Sequence, residues 1–170
     1  MQLSAADEQE RDMSTIHLSE TTTATPEQFV AGLTDFGPGR QRLFPASSDE
    51  YLKVHELGPD HADVTEGSGG VWERLRYDWS DPHRVTMRTT DSNVWGGASG
   101  HTYTLTRRPD GTTAVDAVVV REGRNLKGRI IGVLLGSVAK GQLRKALRST
   151  VAAIEARNQD ERPAAGAARP

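Results

Sequence analysis

The chain changes its hydrophobic period once, and that change limits what it can fold into. Between residues 51 and 121 apolar and polar residues alternate, whereas between 126 and 157 apolar residues recur every third or fourth position. Alternation sends successive side chains to opposite faces of a strand, and the longer period gathers them on one side of a helix. Six alternating runs stand out, at 51–57, 62–66, 71–79, 84–90, 99–107 and 113–121. Turn formers separate them: Gly58-Pro59-Asp60, Gly67 to Gly70, Asp81-Pro82, Asn93 to Gly97 and Pro109-Asp110-Gly111. Short turns between half-apolar strands predict an antiparallel meander with one buried face. The helical run supplies the cover for that face, with Leu126, Ile130, Leu134, Val138, Leu147, Val151 and Ile154 broadly on one side.

A further strand precedes the meander at 15–22, where Ile16 and Leu18 alternate with His17 and Ser19. A helix start follows, with Thr25 as N-cap, Pro26 at the first helical position and Gln28 completing a capping box. Phe29, Val30 and Leu33 form its inner stripe. Gly37-Pro38-Gly39 ends it, and a second short helical piece, RQRLF, spans 40–44. The expected class is α+β: seven antiparallel strands, two short helices after the first strand and a long terminal helix. Residues 1–13 and 159–170 are polar or of low complexity, and are expected to form disordered arms around one folded unit at 14–158.

Composition narrows the function classes. A length of 170 residues fits one domain with a real core. With only three each of Trp, Tyr and Phe, that core rests on Val, Leu, Ile and Ala. A formal charge of −2 argues against a nucleic-acid partner, and the absence of cysteine excludes disulfides, thiolate metal sites and a Cys nucleophile. The longest apolar stretch, 130–139, is about half the ~20 residues that a bilayer requires, so integral membrane association is not expected. The acidic N-terminus lacks an apolar h-region, which makes a cytoplasmic location the expectation. His17, His55, His61, His83 and His101 show no HxH or HExxH spacing, so no metal site is expected. The Gly-rich stretches do not open a helix in the dinucleotide-binding manner, and no cofactor is expected. No feature specifies an oligomeric state.

A strand, two short helices, six antiparallel strands and a long terminal helix is an element order that resembles the START/birch-pollen-allergen (SRPBCC) superfamily, with its polyketide cyclase/dehydrase and lipid-transport groups. The residues that carry the resemblance are TIHLSETTTATPEQFVAGLTDF, VWERLRYDWSDPHRVTM and GRIIGVLLGSVAKGQLRKALRSTVAAIE. It implies a helix-grip fold, a curved seven-stranded sheet wrapped around the C-terminal helix with a cavity between them. It also implies a hydrophobic small molecule, lipid, polyketide-like or aromatic, as the partner. The alternative it leaves open is a polyketide cyclase or aromatase-like enzyme. Periodicity alone allows a solid core.

The alternation nominates the inward face. One strand offers Leu75, Tyr77 and Trp79, the next Val85 and Met87, the third His101, Tyr103 and Leu105, and the last Val115, Ala117 and Val119. Such a face is either an apolar pocket with a few polar handles or an ordinary sheet-on-helix core. His101, Tyr103 and Tyr77 are the acid/base candidates, because imidazole titrates near neutrality and a phenol can polarise a carbonyl. Glu73 and Arg121 share the inward alternation. They are either buried charges that anchor a polar ligand group or strand-end residues that reach water, the simpler expectation. Lys140, Arg144, Lys145 and Arg148 are expected on the solvated face of the last helix rather than against an anionic membrane. Gly128, Gly132 and Gly136 recur every four residues, a spacing expected to leave room above a cavity.

Overall fold

The computed structural model describes residues 13–161, apart from the side chains of 126, 129 and 132–139. Strand β1, Met13–Thr22, leads into helices α1, Pro26–Leu33, and α2, Arg40–Leu43. The meander follows as β2, Lys53–Leu57; β3, His61–Ser68; β4, Val71–Asp78; β5, Arg84–Ser92; β6, Gly100–Arg107; and β7, Thr113–Glu122. Helix α3, Leu126–Asp160, closes the chain with 35 residues. The sheet order is β1-β7-β6-β5-β4-β3-β2, and every neighbouring pair is antiparallel. The first strand thus returns to the far edge of the meander, pairing with β7 from Met13↔Glu122 to Thr22↔Thr113. This is the helix-grip arrangement. Its first strand begins one residue before the expected unit and its last helix ends two residues beyond it; the rest of the expected arms, 1–12 and 162–170, lies outside the described residues. Among the described residues no helix is long and apolar enough to cross a membrane.

Local chemistry sets the boundaries. The α1 start is a capping box: Thr25 Oγ1 accepts from Gln28 N at 3.3 Å, and Thr25 N donates to Gln28 Oε1 at 2.9 Å. Gly69 and Gly70 turn β3 into β4 with φ of 58° and 82°, a left-handed pair that residues with a Cβ rarely adopt. Two bulges break the alternation inside the meander, one between Val54 and Glu56 of β2 and one where Arg74 pairs with Asp91 and Leu75 with Thr89; the second shapes the site. Without it, the inward sequence Val85, Met87, Thr89 would continue to Asp91. The extra residue turns Ser92 inward instead, where it is buried. Its hydroxyl donates to Trp72 O at 2.7 Å and accepts from the amides of Val94 and Trp95.

The core lies between the concave face of the sheet and the helices. Leu18, Phe29, Leu33, Val64, Leu105 and Val115 are buried there with Leu147, Val151 and Ile154 of α3. Glu155 fastens that end of α3 to β1, accepting from Thr22 Oγ1 at 2.8 Å and Thr23 N at 2.7 Å. Lys140, Arg144, Lys145 and Arg148 are exposed.

The N-terminal end of α3 departs from the expected stripe. Ile130 is 51% exposed rather than inward. The cause is Gly128, where an added Cβ would sit 2.1 Å from the carbonyl oxygen of Val94. At ~100° per residue, a helix that turns Gly128 toward the β5–β6 connection must turn Ile130 away. Gly128 therefore allows close approach instead of leaving room; Leu126, Gly132, Leu134, Gly136 and Val138 lie outside the described side chains.

Gly128 and Gly141 predict opposite responses to the same substitution. Gly141 is exposed, with nothing near its Cβ position, so Gly141→Ala should raise unfolding free energy by up to about 1 kcal/mol. Gly128→Ala meets a backbone carbonyl that cannot yield and should lower it by about 1–3 kcal/mol. Urea unfolding reads both; equal effects would show that the α3 end is not seated as described.

Candidate functional site

Two adjoining chambers open between sheet and α3. The first, about 220 Å³, is walled by Phe44, Ala46 and Ser47 of the α2–β2 connection, by Glu66, Glu73, Leu75, Tyr77 and Met87 of the sheet, and by Trp72, Trp95, His101, Arg121 and Leu143. The second, about 80 Å³, is more apolar and is walled by Leu18, Tyr103, Ala117, Val119, Ala146, Leu147 and Thr150. Phe44, Ala46, His101 and Leu143 wall both, which places His101 where they meet.

The first chamber carries a polar strip built on two glutamates that lie opposite one another in the β3–β4 register, Glu66↔Glu73. Like charges directly across a ladder repel, so each needs its own compensation. Arg40, 1% exposed, supplies it for Glu66: its Nε donates to Glu66 Oε1, and its Nη2 donates to Tyr77 OH at 2.9 Å. Tyr77 OH donates onward to Glu66 Oε2 at 2.6 Å, and Ser47 Oγ donates to Oε1 at 3.1 Å. Arg40 Nη1 donates to the carbonyls of Leu33 and Asp35 at 3.0 and 2.7 Å. Its guanidinium lies 4.5 Å from the Phe36 ring centre and 5.1 Å from that of Phe44. Burial works against the Arg40 charge, but Tyr77 and Glu66 outweigh it and hold its pKa above the ordinary value. Burial and the Glu66 charge push the Tyr77 phenol well above its usual range, so it stays protonated and donates.

Glu73 is compensated by Arg121, from the far side of the sheet. Arg121 Nη2 donates to Glu73 Oε1 at 3.0 Å and Nη1 to Oε2 at 3.3 Å, while Thr89 Oγ1 adds a donor at 2.9 Å. The side chains are 12% and 14% exposed, which corrects the expectation that Arg121 and Glu73 reach water as strand ends. The bulge and the Trp95 ring, 5.2 Å below the Arg121 guanidinium, close that end.

Arg121 Nη2 also lies 2.6 Å from His101 Nε2. A guanidinium only donates, so Nε2 is the acceptor and the neutral ring carries its proton on Nδ1. Burial and the Arg121 charge push the His101 pKa well below the usual histidine value. Nδ1 is buried and has no hydrogen-bond partner among the described residues. Tyr103, on the same strand, has its phenol pushed up to about 12 by burial. No group of three or more His, Cys, Asp or Glu among the described residues is placed to hold a metal ion.

Of the residues the alternation nominated, Leu75, Tyr77, Met87 and His101 meet in the first chamber, and His101, Tyr103, Ala117 and Val119 in the second. Four lie elsewhere. Val85, Leu105 and Val115 are buried in the core with Phe29 and Leu33 of α1, and Val115 is the register partner of Leu105. Trp79 falls beyond the end of β4, in a turn where its Nε1 donates to Pro59 O at 3.0 Å. Sequence reasoning missed Arg40, Glu66 and Ser47. Glu66 was legible as the inward continuation of Ala62 and Val64; nothing in the RQRLF segment marks Arg40 as buried.

No protein-family model and no curated protein matches the sequence. Solved structures match the fold. An aromatase/cyclase from Streptomyces aligns with a TM-score of 0.65 at 15% identity, over 91% of this chain and 98% of that one. A START superfamily protein from Mycobacterium smegmatis aligns with a TM-score of 0.61 at 10% identity, over 86% and 97%. Norcoclaurine synthase from Thalictrum flavum aligns with a TM-score of 0.61 at 11% identity, over 88% of each chain. At such identities the likeness is one of fold: the chain has the helix-grip fold, with the same arrangement as these proteins.

Two outcomes follow from the polar strip. Arg40→Met leaves the Glu66 carboxylate buried without its cation and should cost about 3–5 kcal/mol in denaturant unfolding. A loss within experimental error would show that Glu66 is not held as described. His101 should make the fold sensitive to acid. Its folded pKa lies below the unfolded value near 6.5, so neither state takes up its proton above that pH. Below it only the unfolded chain does, and stability falls by up to about 1.4 kcal/mol per pH unit until the folded pKa is reached. His61, held by Asp60 and Glu56, has a raised pKa and trends the other way. Subtracting the pH profile of a His101→Asn variant from that of the wild type isolates His101, and a flat difference from pH 8 to 5 would contradict the assignment.

Proposed function

We propose that the chain binds, and carries, a hydrophobic small molecule in the two chambers between sheet and α3. The observation that carries this reading is the make-up of the first chamber: apolar and aromatic walls from Phe44, Trp72, Leu75, Met87, Trp95 and Leu143, interrupted by a few fixed polar groups. Such a lining is the usual build of a small-molecule site, in which apolar contact gives affinity and convergent polar groups give orientation. The first chamber is smaller than the roughly 300–1,000 Å³ of drug-sized pockets, so a compact ligand of one or two fused rings suits it, with the second chamber taking an apolar extension. Neighbours of like fold are named as START and aromatase/cyclase proteins, which supports a ligand of lipid, polyketide-like or aromatic character.

A second reading, a polyketide cyclase or aromatase-like enzyme, is favoured by His101, which meets Arg121 in the first chamber and Tyr103 in the second. The state of His101 limits it. A neutral imidazole whose Nε2 is already engaged by Arg121 cannot use that atom as a proton-abstracting base.

N-Phenyl-1-naphthylamine, an uncharged apolar fluorophore, tests the binding reading. Trp72 and Trp95 wall the chamber, so binding should quench tryptophan emission by energy transfer with micromolar affinity. Leu143→Trp fills the junction of the chambers and should weaken binding at least tenfold with the fold intact. No binding to the folded wild type would sink the proposal, and native mass spectrometry of protein from its own host would then be expected to show no co-purifying ligand.

A further inference from the structure

The ion pairs bear on the charge of the ligand, an inference that rests on the binding reading above. Among the described residues, the charged groups that wall the first chamber are Glu66, Glu73 and Arg121, and none walls the second. Glu66 is balanced from behind by Arg40, which is 1% exposed and bonded to Glu66, Tyr77 and the carbonyls of Leu33 and Asp35. Arg121 is the cation on the wall itself. It donates twice to Glu73 and once to His101 Nε2, and its guanidinium lies over the Trp95 ring. The Glu73 and Arg121 side chains keep 14% and 12% of their surface, so the pair borders the space that a ligand would fill. Each charge on that wall is therefore already matched by one of opposite sign.

We propose that the Glu73–Arg121 pair sets the charge preference of the chamber, admitting uncharged ligands and turning away carboxylates and ammonium ions of the same shape. A ligand that fills about 220 Å³ displaces the water that would hydrate its own charge. An anion there needs a cation, and Glu73 already neutralises the one on the wall. An ammonium needs a carboxylate, and both carboxylates are already met by guanidinium groups. The effect acts through charge over several ångströms and needs no hydrogen bond from either residue to the ligand. It narrows the ligand to neutral lipids and neutral aromatic compounds, and excludes free fatty acids and aryl acids. Glu73 and Arg121 are thus specificity-determining residues of opposite sign, and removing one should invert the selection rather than merely weaken it.

Three probes that share one ring system test this: 2-acetylnaphthalene, 2-naphthoate and 2-naphthylmethylammonium. By isothermal titration calorimetry at neutral pH the wild type should bind the ketone about tenfold or more tightly than either ion. Glu73→Gln keeps the shape of the side chain and leaves Arg121 unopposed, so the naphthoate-to-ketone affinity ratio should rise about tenfold or more. Arg121→Met leaves Glu73 unopposed and should move preference toward the ammonium by a similar factor. The double variant Glu73→Gln/Arg121→Met carries no charge at either position and should restore the preference for the ketone, an outcome that general loosening of the chamber would not produce. Circular dichroism establishes that each variant is folded, and if Arg121→Met is not, Glu73→Gln and the double variant carry the test. Equal affinities of the wild type for the three probes, or an unchanged ratio in folded Glu73→Gln, would overturn the inference and leave the binding reading standing. Failure of all three probes to bind the folded wild type would overturn the binding reading and this inference with it.

Discussion

Two carboxylates face inward side by side, one on each strand of the β3–β4 hairpin, and the rest of the site is arranged around keeping them there. Glu66 and Glu73 are register partners, so their charges cannot be separated without disturbing the ladder. At an effective dielectric of ~20, two unit charges 4 Å apart interact by about 4 kcal/mol, a sizeable part of a small domain's stability. The compensating cations come from outside the hairpin and from opposite directions: Arg40 from the first position of α2, Arg121 from β7. Arg40 is also bound to the carbonyls of Leu33 and Asp35, so the charge ties the end of α1 to the sheet. The α1–α2 link cannot swing away without stranding Glu66, and Phe44, Ala46 and Ser47 are thereby fixed as one wall of the chamber.

Much of this frame was legible in the sequence, and the reason is local. Period-two alternation, glycine and proline at the turns, and the Thr25–Gln28 capping box act over a few residues, so seven strands, two short helices and a long one followed from the chain itself. Residues whose role depends on distant partners were less legible. Glu66 shares the inward alternation of Ala62 and Val64, but its cation lies 26 positions earlier in the chain, in a segment that reads as a polar helical turn. Glu73 and Arg121 sit on inward alternation near strand ends, where exposure is the ordinary outcome, and only the β4–β5 bulge and Trp95 reverse it. Ile130 fits a helical stripe, yet a single close contact at Gly128 turns it outward.

The chambers stay open for reasons that can be read from side-chain size. Where α1 covers the sheet, Phe29 and Leu33 meet Val85 and Leu105 and leave no space. Beyond that end the second chamber is walled by smaller residues, Ala46 of the α2–β2 connection, Ala117 of β7 and Ala146 of α3. The first chamber is bounded instead by the ionic strip. Apolar side chains gain little by packing on it, and its own groups are drawn toward each other rather than across the gap.

Stability alone does not account for such a strip. Burying a salt bridge costs desolvation that its Coulomb attraction only partly repays, and well-packed apolar residues of the same volume often do as well or better. A sheet meant only to grip a helix would be served by aliphatic residues at 66, 73, 101 and 121. What the charges supply is geometry: guanidinium forks and carboxylates hold Tyr77, Ser47, Thr89 and His101 in single orientations before any ligand arrives. Donors fixed in advance need no reorganisation when they meet an acceptor, which is when such groups are most effective. The energetic cost of the strip is thus spread over the fold, while what it supplies is a set of polar groups held in place on one wall of the chamber. That asymmetry is the physical reason for the proposal that the chamber takes a ligand.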